Sequence, residues 1–305
     1  MDSIQKKLLQ EVSGLHDTPE GAYNIRANGK SAVRGTTANI DIVTKNDKPG
    51  IDIIIKPGTK HESVHIPVIL SESGLKETVY NDFYIGEDCD IVIVAGCGIH
   101  NDGSSTSEHS GVHRFFVGKN SRVKYVEKHY AEGDGNGERI MNPSTEIVLE
   151  EGAYMDLDTL QIKGVDSAIR TTKAKLASKA VLVIHDKIMT HGKQYAKADF
   201  TVDLDGEDCS ANVISRSVAK DNSSQLFISR INGNSKCIGH TECDAIIMDN
   251  ASVSAIPEIT AGCVDASLIH EAAIGKIAGE QLIKLMTLGL TEKEAEEQIV
   301  NGFLK

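Results

Sequence analysis

Along most of this chain the apolar residues alternate with polar ones or gather in short β-branched blocks, and the spacing turns helical only at the two ends. Ile4, Leu8, Leu9 and Val12 share one helical face, with Ser3 placed to cap and Gly14 to stop, so the pattern predicts a short helix from Ser3 to about Val12. From about Ala38 to Ile274 the texture is that of strands with Gly, Asn, Asp and Ser between them: NIDIVT, GIDIIIKP, CDIVIVAG, SRVKYVEKHY, TEIVLEEG, KAVLVIHDK, ADFTVDLDG, SQLFISRING, CDAIIMDN, ASVSAIPEI and ASLIHEAA. The turn markers Gly118, Gly152, Ser178, Gly206 and Asn234 recur roughly every 30 residues, which points to a β-solenoid whose turns stack on one another. A β-sandwich is the alternative. After Ile277 the helical period returns: Glu280 to Leu288 carries an apolar face closed by Gly289, and Thr291 with Glu294 forms a capping box opening a helix to about Phe303. Helices this short are marginal alone, so their apolar faces are expected to dock on the β body or on a partner. The expected division is an N-terminal helical segment (1–37), a β core (38–276) and C-terminal helices (277–305).

Composition narrows the function. The 305 residues are 40% hydrophobic and 25% charged, an ordinary globular balance. With 32 Lys and Arg against 44 Asp and Glu, the net charge of −12 disfavours nucleic acid and anionic membrane as partners. Apolar runs such as Ile51 to Ile55 fall far short of a membrane span, and MDSIQKKLLQEV lacks a signal-peptide apolar block, so a cytoplasmic location is expected. Aromatics make up only 4% and Trp is absent, leaving Val, Ile, Leu and Ala to build a layered core. No two of Cys89, Cys97, Cys209, Cys237, Cys243 and Cys263 form a CxxC pair, which removes zinc ribbons, thioredoxin-type motifs and ferredoxin-type boxes. In such a chain the cysteines are expected to be reduced, most of them buried and inert.

Several motifs have plain structural explanations. His61-Glu62-Ser63-Val64-His65 matches HExxH, but the flanking residues read as a strand, on which His61 and His65 would be roughly 13 Å apart. The segment His100 to His113 reads as an exposed polar loop, with a metal site on His109 and His113 as the alternative. Gly133 to Gly137 reads as a flexible linker. Asn28-Gly29-Lys30-Ser31 ends like a phosphate loop, yet the required first glycine is Asn24, so ATP hydrolysis by this chain is not expected. The chemically richest stretch comes late: Cys237, His240, Glu242 and Cys243, then Cys263, His270 and Glu271. Thiolate, imidazole and carboxylate are ligands that iron accepts, and cysteine also carries persulfide sulfur. In a solenoid, Cys243 and His270 could be neighbours one turn apart.

HTECDAIIMDNASVSAIPEI followed by DASLIHEAAIGKIAGEQLIKLMTLGLTEKEAEEQIVNGFL resembles the core of the SufB/SufD family, scaffold proteins of the SUF iron–sulfur assembly system. HIPVIL at 65–70 is also similar to a family segment, which gives the HExxH match a non-metal explanation. The resemblance implies a right-handed parallel β-helix with a short N-terminal helix and a C-terminal helical segment. It implies pairing through the β-helices, with a second copy or a SufB/SufD-type paralogue, and C-terminal helices that dock a SufC-like ABC-type ATPase. The chain itself would be a scaffold rather than an enzyme, with ATP consumed by that partner and sulfur supplied by a cysteine desulfurase or another donor.

By the same resemblance Cys243 of CDAIIMDN is the sulfur acceptor and cluster-building residue, and His270 and Glu271 of the HEA segment complete the site for a transient iron–sulfur cluster. SufD-type members lack the cysteine and the glutamate, so this chain resembles SufB, or the single B component of a minimal two-protein system. It is shorter than full-length SufB and lacks the N-terminal CxxCxxxC motif, leaving Cys97 and Cys209 as candidates for the internal sulfur-receiving cysteine. Two other readings remain: a SufD-like structural subunit without sulfur transfer, and a β-helix carbohydrate-active enzyme with paired carboxylates, against which the absence of Trp counts.

Overall fold

The computed structural model describes residues 1–16 and 19–304. In chain order the elements are α1 (Ser3–Ser13), β1 (Ala22–Ala27), β2 (Lys30–Gly35), β3 (Ile40–Thr44), β4 (Gly50–Ile55), β5 (Lys60–Leu70), β6 (Lys76–Ile85) and β7 (Asp90–His100). Then follow β8 (Ser107–Val117), β9 (Arg122–Glu132), β10 (Arg139–Met141), β11 (Ser144–Leu149), β12 (Tyr154–Lys163), β13 (Ser167–Leu176), β14 (Val181–Thr190) and β15 (Tyr195–Leu204). The last are β16 (Cys209–Ala219), β17 (Ser224–Gly233), β18 (Cys237–Ile247), β19 (Ser252–Ala261), β20 (Ser267–Gly275), α2 (Gly279–Thr287) and α3 (Glu292–Phe303).

The strands form two facing ten-stranded sheets, the first ordered β2-β1-β5-β7-β9-β12-β14-β16-β18-β20 and the second β19-β17-β15-β13-β10-β8-β6-β4-β3, with β11 between β8 and β13. Apart from the hairpins β1–β2 and β3–β4 the pairing is parallel, each strand joining the one a full turn on. Val181 lies opposite Ser210 and Cys209 opposite Cys237, so a turn takes 29 or 28 residues. This is the parallel β-solenoid that the turn markers predict. Residues in left-handed conformation mark one corner, at Asp88, Asn120, Gly152, Lys179 and Asp208, which is why Asp, Asn and Gly punctuate the sequence.

Strict inward–outward alternation fills the interior with aliphatic rows and a Phe83–Phe115 stack, ring centroids 4.4 Å apart. Helix α1 lies across β5, β7 and β9 and buries Leu8, Leu9 and Val12 against Ile25, Ile69 and Tyr130. Its seat is glycine: a Cβ at Gly96 would stand 2.8 Å from the Val12 carbonyl oxygen and 2.7 Å from that of Lys128.

Four sequence expectations change. The cap of α1 is Asp2, not Ser3, because Gln5 three residues on can return the hydrogen bond to Asp2, whereas Ser3 would face the cationic Lys6. Strands begin at Ala22, and Asn28 and Gly29, with φ of +46° and +78°, form the β1–β2 hairpin turn instead of the tail of a phosphate loop. The segment 100–113 is largely strand, and His109 and His113 point into the solenoid. The 133–137 glycines pack directly on residues 101–105, where a Cβ at Gly137 would meet the Ser105 oxygen at 2.2 Å, so this stretch is a fitted turn and not a free linker.

Candidate functional site

The carboxy-terminal end of the solenoid is open. Strands β19 and β20 are the edges of their sheets and lie largely exposed, leaving Ile256, Ile259, Ile269 and Ile274 uncovered. One strand inside that edge, β18 alternates Thr241, Cys243 and Ala245 inward with His240, Glu242 and Asp244 outward.

In register, Thr241 lies opposite His270, Glu242 opposite Glu271 and Cys243 opposite Ala272. Cys243 and His270 therefore share the inner face one step off the diagonal, with Cα atoms roughly 8 Å apart. Glu271, the next residue on a strand, must face the other way. It stands outside, with its Oε2 3.9 Å from Nε2 of His240, whose Nδ1 donates to Oδ1 of Asn212 at 2.8 Å. The structure thus brings two of the three expected residues together and puts the third across the sheet. Among the described residues no three His, Cys, Asp or Glu side chains converge on one metal position.

The electrostatics favour capture of a ligand over free ionisation. Cys243 is 1% exposed, and burial, aided by the charges of Asp244 and Asp186, pushes its thiol up to about 12. At neutral pH it is a thiol that gives up its proton only to a metal or an electrophilic sulfur. Burial and the nearby His240 keep the His270 ring below the usual histidine range, hence neutral, and its buried Nδ1 has no hydrogen-bond partner. The adjacent Thr241 Oγ1 is likewise unpartnered. An unsatisfied neutral nitrogen beside a buried thiol fits a soft or borderline metal cargo such as iron.

Sequence reasoning missed what leads to Cys243 from the other side. Glu127, Thr159, Asp186, Ser215 and Cys243 lie opposite one another on successive turns, all inward and buried. Arg170 crosses from the facing sheet to bind Glu127 at 2.6 Å, and Thr159 donates to Asp186 at 2.6 Å. Tyr125 donates to Glu127 at 3.1 Å and receives Nδ1 of His113 at 2.7 Å. Burial works against the Glu127 charge, yet Arg170 and His129 hold its carboxyl well below the usual range, while burial raises that of Asp186. The legible signal was a charged residue at an inward position of a strand, Glu127 in SRVKYVEKHY.

The other expected cysteines are placed as well. Cys97 lines a cavity of about 10 Å³ with His109, His113, Glu127 and His129, and burial next to Glu77 and Glu127 holds its thiol well above the usual range. Cys209 is pushed up to about 11 by burial and by Cys237. In HExxH, Glu62 lies on strand β5, not on a helix, and its two oxygens accept hydrogen bonds from Thr37 and Asn39 at 2.6 Å. No described helix is long and apolar enough to cross a membrane.

The profile described as SUF system FeS cluster assembly, SufBD core domain, matches residues 87–303. An iron–sulfur cluster assembly SufBD family protein of Methanocaldococcus jannaschii is 29% identical over 99% of both chains. A family protein of Methanothermobacter thermautotrophicus is 29% identical over 84% of this chain and 62% of its own length, and one of Pyrococcus horikoshii 27% identical over 96% and 84%. A polysaccharide lyase-like protein from C. thermocellum, at 10% identity over 84% of this chain and all of its own, has a TM-score of 0.21 and lends the carbohydrate reading no support. The matched core spans the whole open end with Cys243, His270 and Glu271, and the chain belongs to the SufBD family of iron–sulfur cluster assembly proteins.

Proposed function

We propose that this chain is a scaffold on which an iron–sulfur cluster is transiently built, held by Cys243 and His270 at an interface between two copies or between this chain and a paralogue. The observation that carries the reading is the buried Cys243 thiol beside an unpartnered His270 nitrogen, one strand in from an uncovered sheet edge. Among its described residues one chain offers too few converging ligands for a cluster. A symmetric partner meeting the same edge doubles the set and covers Ile256 and Ile269. Glu271, on the outer face with His240, is suited to receiving iron as a hard oxygen donor before or after it reaches the thiol. A cysteine desulfurase or another persulfide source supplies the sulfur.

Helix α2 buries none of its residues and exposes Ile283 and Met286, followed by Leu288 at 76% exposure. Helix α3 packs against it, capped by Thr291 and Glu294. We assign this exposed apolar pair as the docking element for an ABC-type ATPase, which would supply the ATP hydrolysis.

The test is anaerobic co-expression with the ATPase, followed by iron and acid-labile sulfide analysis of wild type and Cys243→Ser. Both elements in the wild type and their loss in the variant are expected. Equal contents in the two proteins, or none in either despite a stable ATPase complex, would make the chain a structural subunit of the SufD kind.

A further inference from the structure

On the outer face of the first sheet, Lys124, Asp156, Asp158, His185, Lys187 and Arg216 line a cavity of about 310 Å³. They are outward residues of β9, β12, β14 and β16, set there by the same alternation that sends Tyr125, Leu157, Ile184 and Ser215 inward. Two features separate this cavity from an ordinary solvated charge cluster. Like charges adjoin in it: Lys187 lies directly opposite Arg216, a cross-strand pairing that destabilises a sheet and that an anion between them would relieve. Lys187 reaches Asp158 only at 3.6 Å, and among the described residues Arg216 makes no ion pair, although its charge acts on Glu242 of β18. Buried polar atoms are also left without partners, a donor in Nε of Arg216 and an acceptor in Oδ1 of Asp156. Such atoms are costly to hold away from water until a partner satisfies them.

Charge decides which ligand fits. The fixed charges of the lining are positive on Lys124, Lys187 and Arg216 and negative on Asp156 and Asp158. An acidic amino acid, with two carboxylates and one ammonium group, brings this set to neutrality. Its carboxylates suit the planar fork of Arg216 and the ammonium of Lys187, and its own ammonium suits the orphaned oxygen of Asp156. A phosphate or a plain dicarboxylate would leave Asp156 facing an anion. We infer that this cavity binds aspartate or glutamate, through Arg216 and Lys187 on the carboxylates and Asp156 on the ammonium group. The site is separate from the Cys243–His270 pair and does not depend on the assembly reading.

The reduced full-length chain is titrated calorimetrically with L-aspartate, L-glutamate, glutarate and inorganic phosphate. One of the amino acids should bind once per chain, and glutarate, which lacks the ammonium group, on the order of tenfold more weakly. Arg216→Gln should lose amino-acid affinity on the order of tenfold or more, while its denaturation midpoint holds or rises because the clash with Lys187 is gone. Asp156→Asn should weaken the amino acids and leave glutarate binding unchanged or tighter. Cys243→Ser should bind as wild type does, whatever its cluster content, which keeps this result apart from the cluster test. Wild-type affinity in Arg216→Gln, glutarate or phosphate binding as tightly as the amino acids, or no amino-acid binding at millimolar concentration would overturn the site. A lowered midpoint in Arg216→Gln would do the same, by making the arginine a structural residue of the sheet.

Discussion

Arg170 and Glu127 are paired in the buried interior of the solenoid, and removing one partner strands the other charge. Arg170→Met should lower stability by about 3–5 kcal/mol, read as a fall in the denaturation midpoint, and adding Glu127→Gln should recover most of it. His113 carries a second, pH-dependent term. Burial lowers its pKa from 6.5 to about 4, so between those values the unfolded chain takes up a proton that the fold refuses. Stability present above pH 6.5 is therefore lost as the pH falls to 4, by on the order of 3 kcal/mol. His113→Gln should flatten that slope in denaturation curves taken across the range. These residues were not legible in the sequence as a network, because pairing between Glu127 and Arg170 depends on which turns stack. The placement of Glu271 opposite to His270 was legible, since neighbours on a strand always face apart.

Alternation and turn punctuation suffice to read most elements, and the capping box at Thr291 is found where the residues put it. The early hairpin escaped because β1 and β2 are short and half-exposed, although Asn28-Gly29 is a strong hairpin dipeptide. The seat of α1 could not be read at all: Gly96 and Gly98 look like a weak point in a strand, and only the packed helix shows why side chains are excluded. Gly96→Val should lift α1 from β7, seen as faster amide exchange and proteolysis across residues 3–13 with the solenoid retained. A variant whose helix stays protected would show that β7 can yield instead.

At the scale of the molecule, a solenoid whose final strands expose isoleucines on an unpaired edge invites a second sheet, as edge strands do unless they are guarded. A period of roughly 30 residues was visible beforehand, but the exact register was not: Cys243 and His270 are 27 positions apart and the turn between them takes 29, which sets His270 opposite Thr241. Ile269→Asp, on the exposed face of β20, should shift the chain from dimer to monomer in sedimentation while leaving its circular dichroism unchanged. The most direct measurement of the central claim is iron and acid-labile sulfide per chain across an anaerobic size-exclusion profile of reconstituted protein, wild type beside Ile269→Asp and Cys243→Ser. Iron and sulfide confined to the wild-type dimer, and absent from the monomeric and the cysteine-less proteins, is the predicted result; a cluster held equally well by the monomer would contradict assembly at a shared edge.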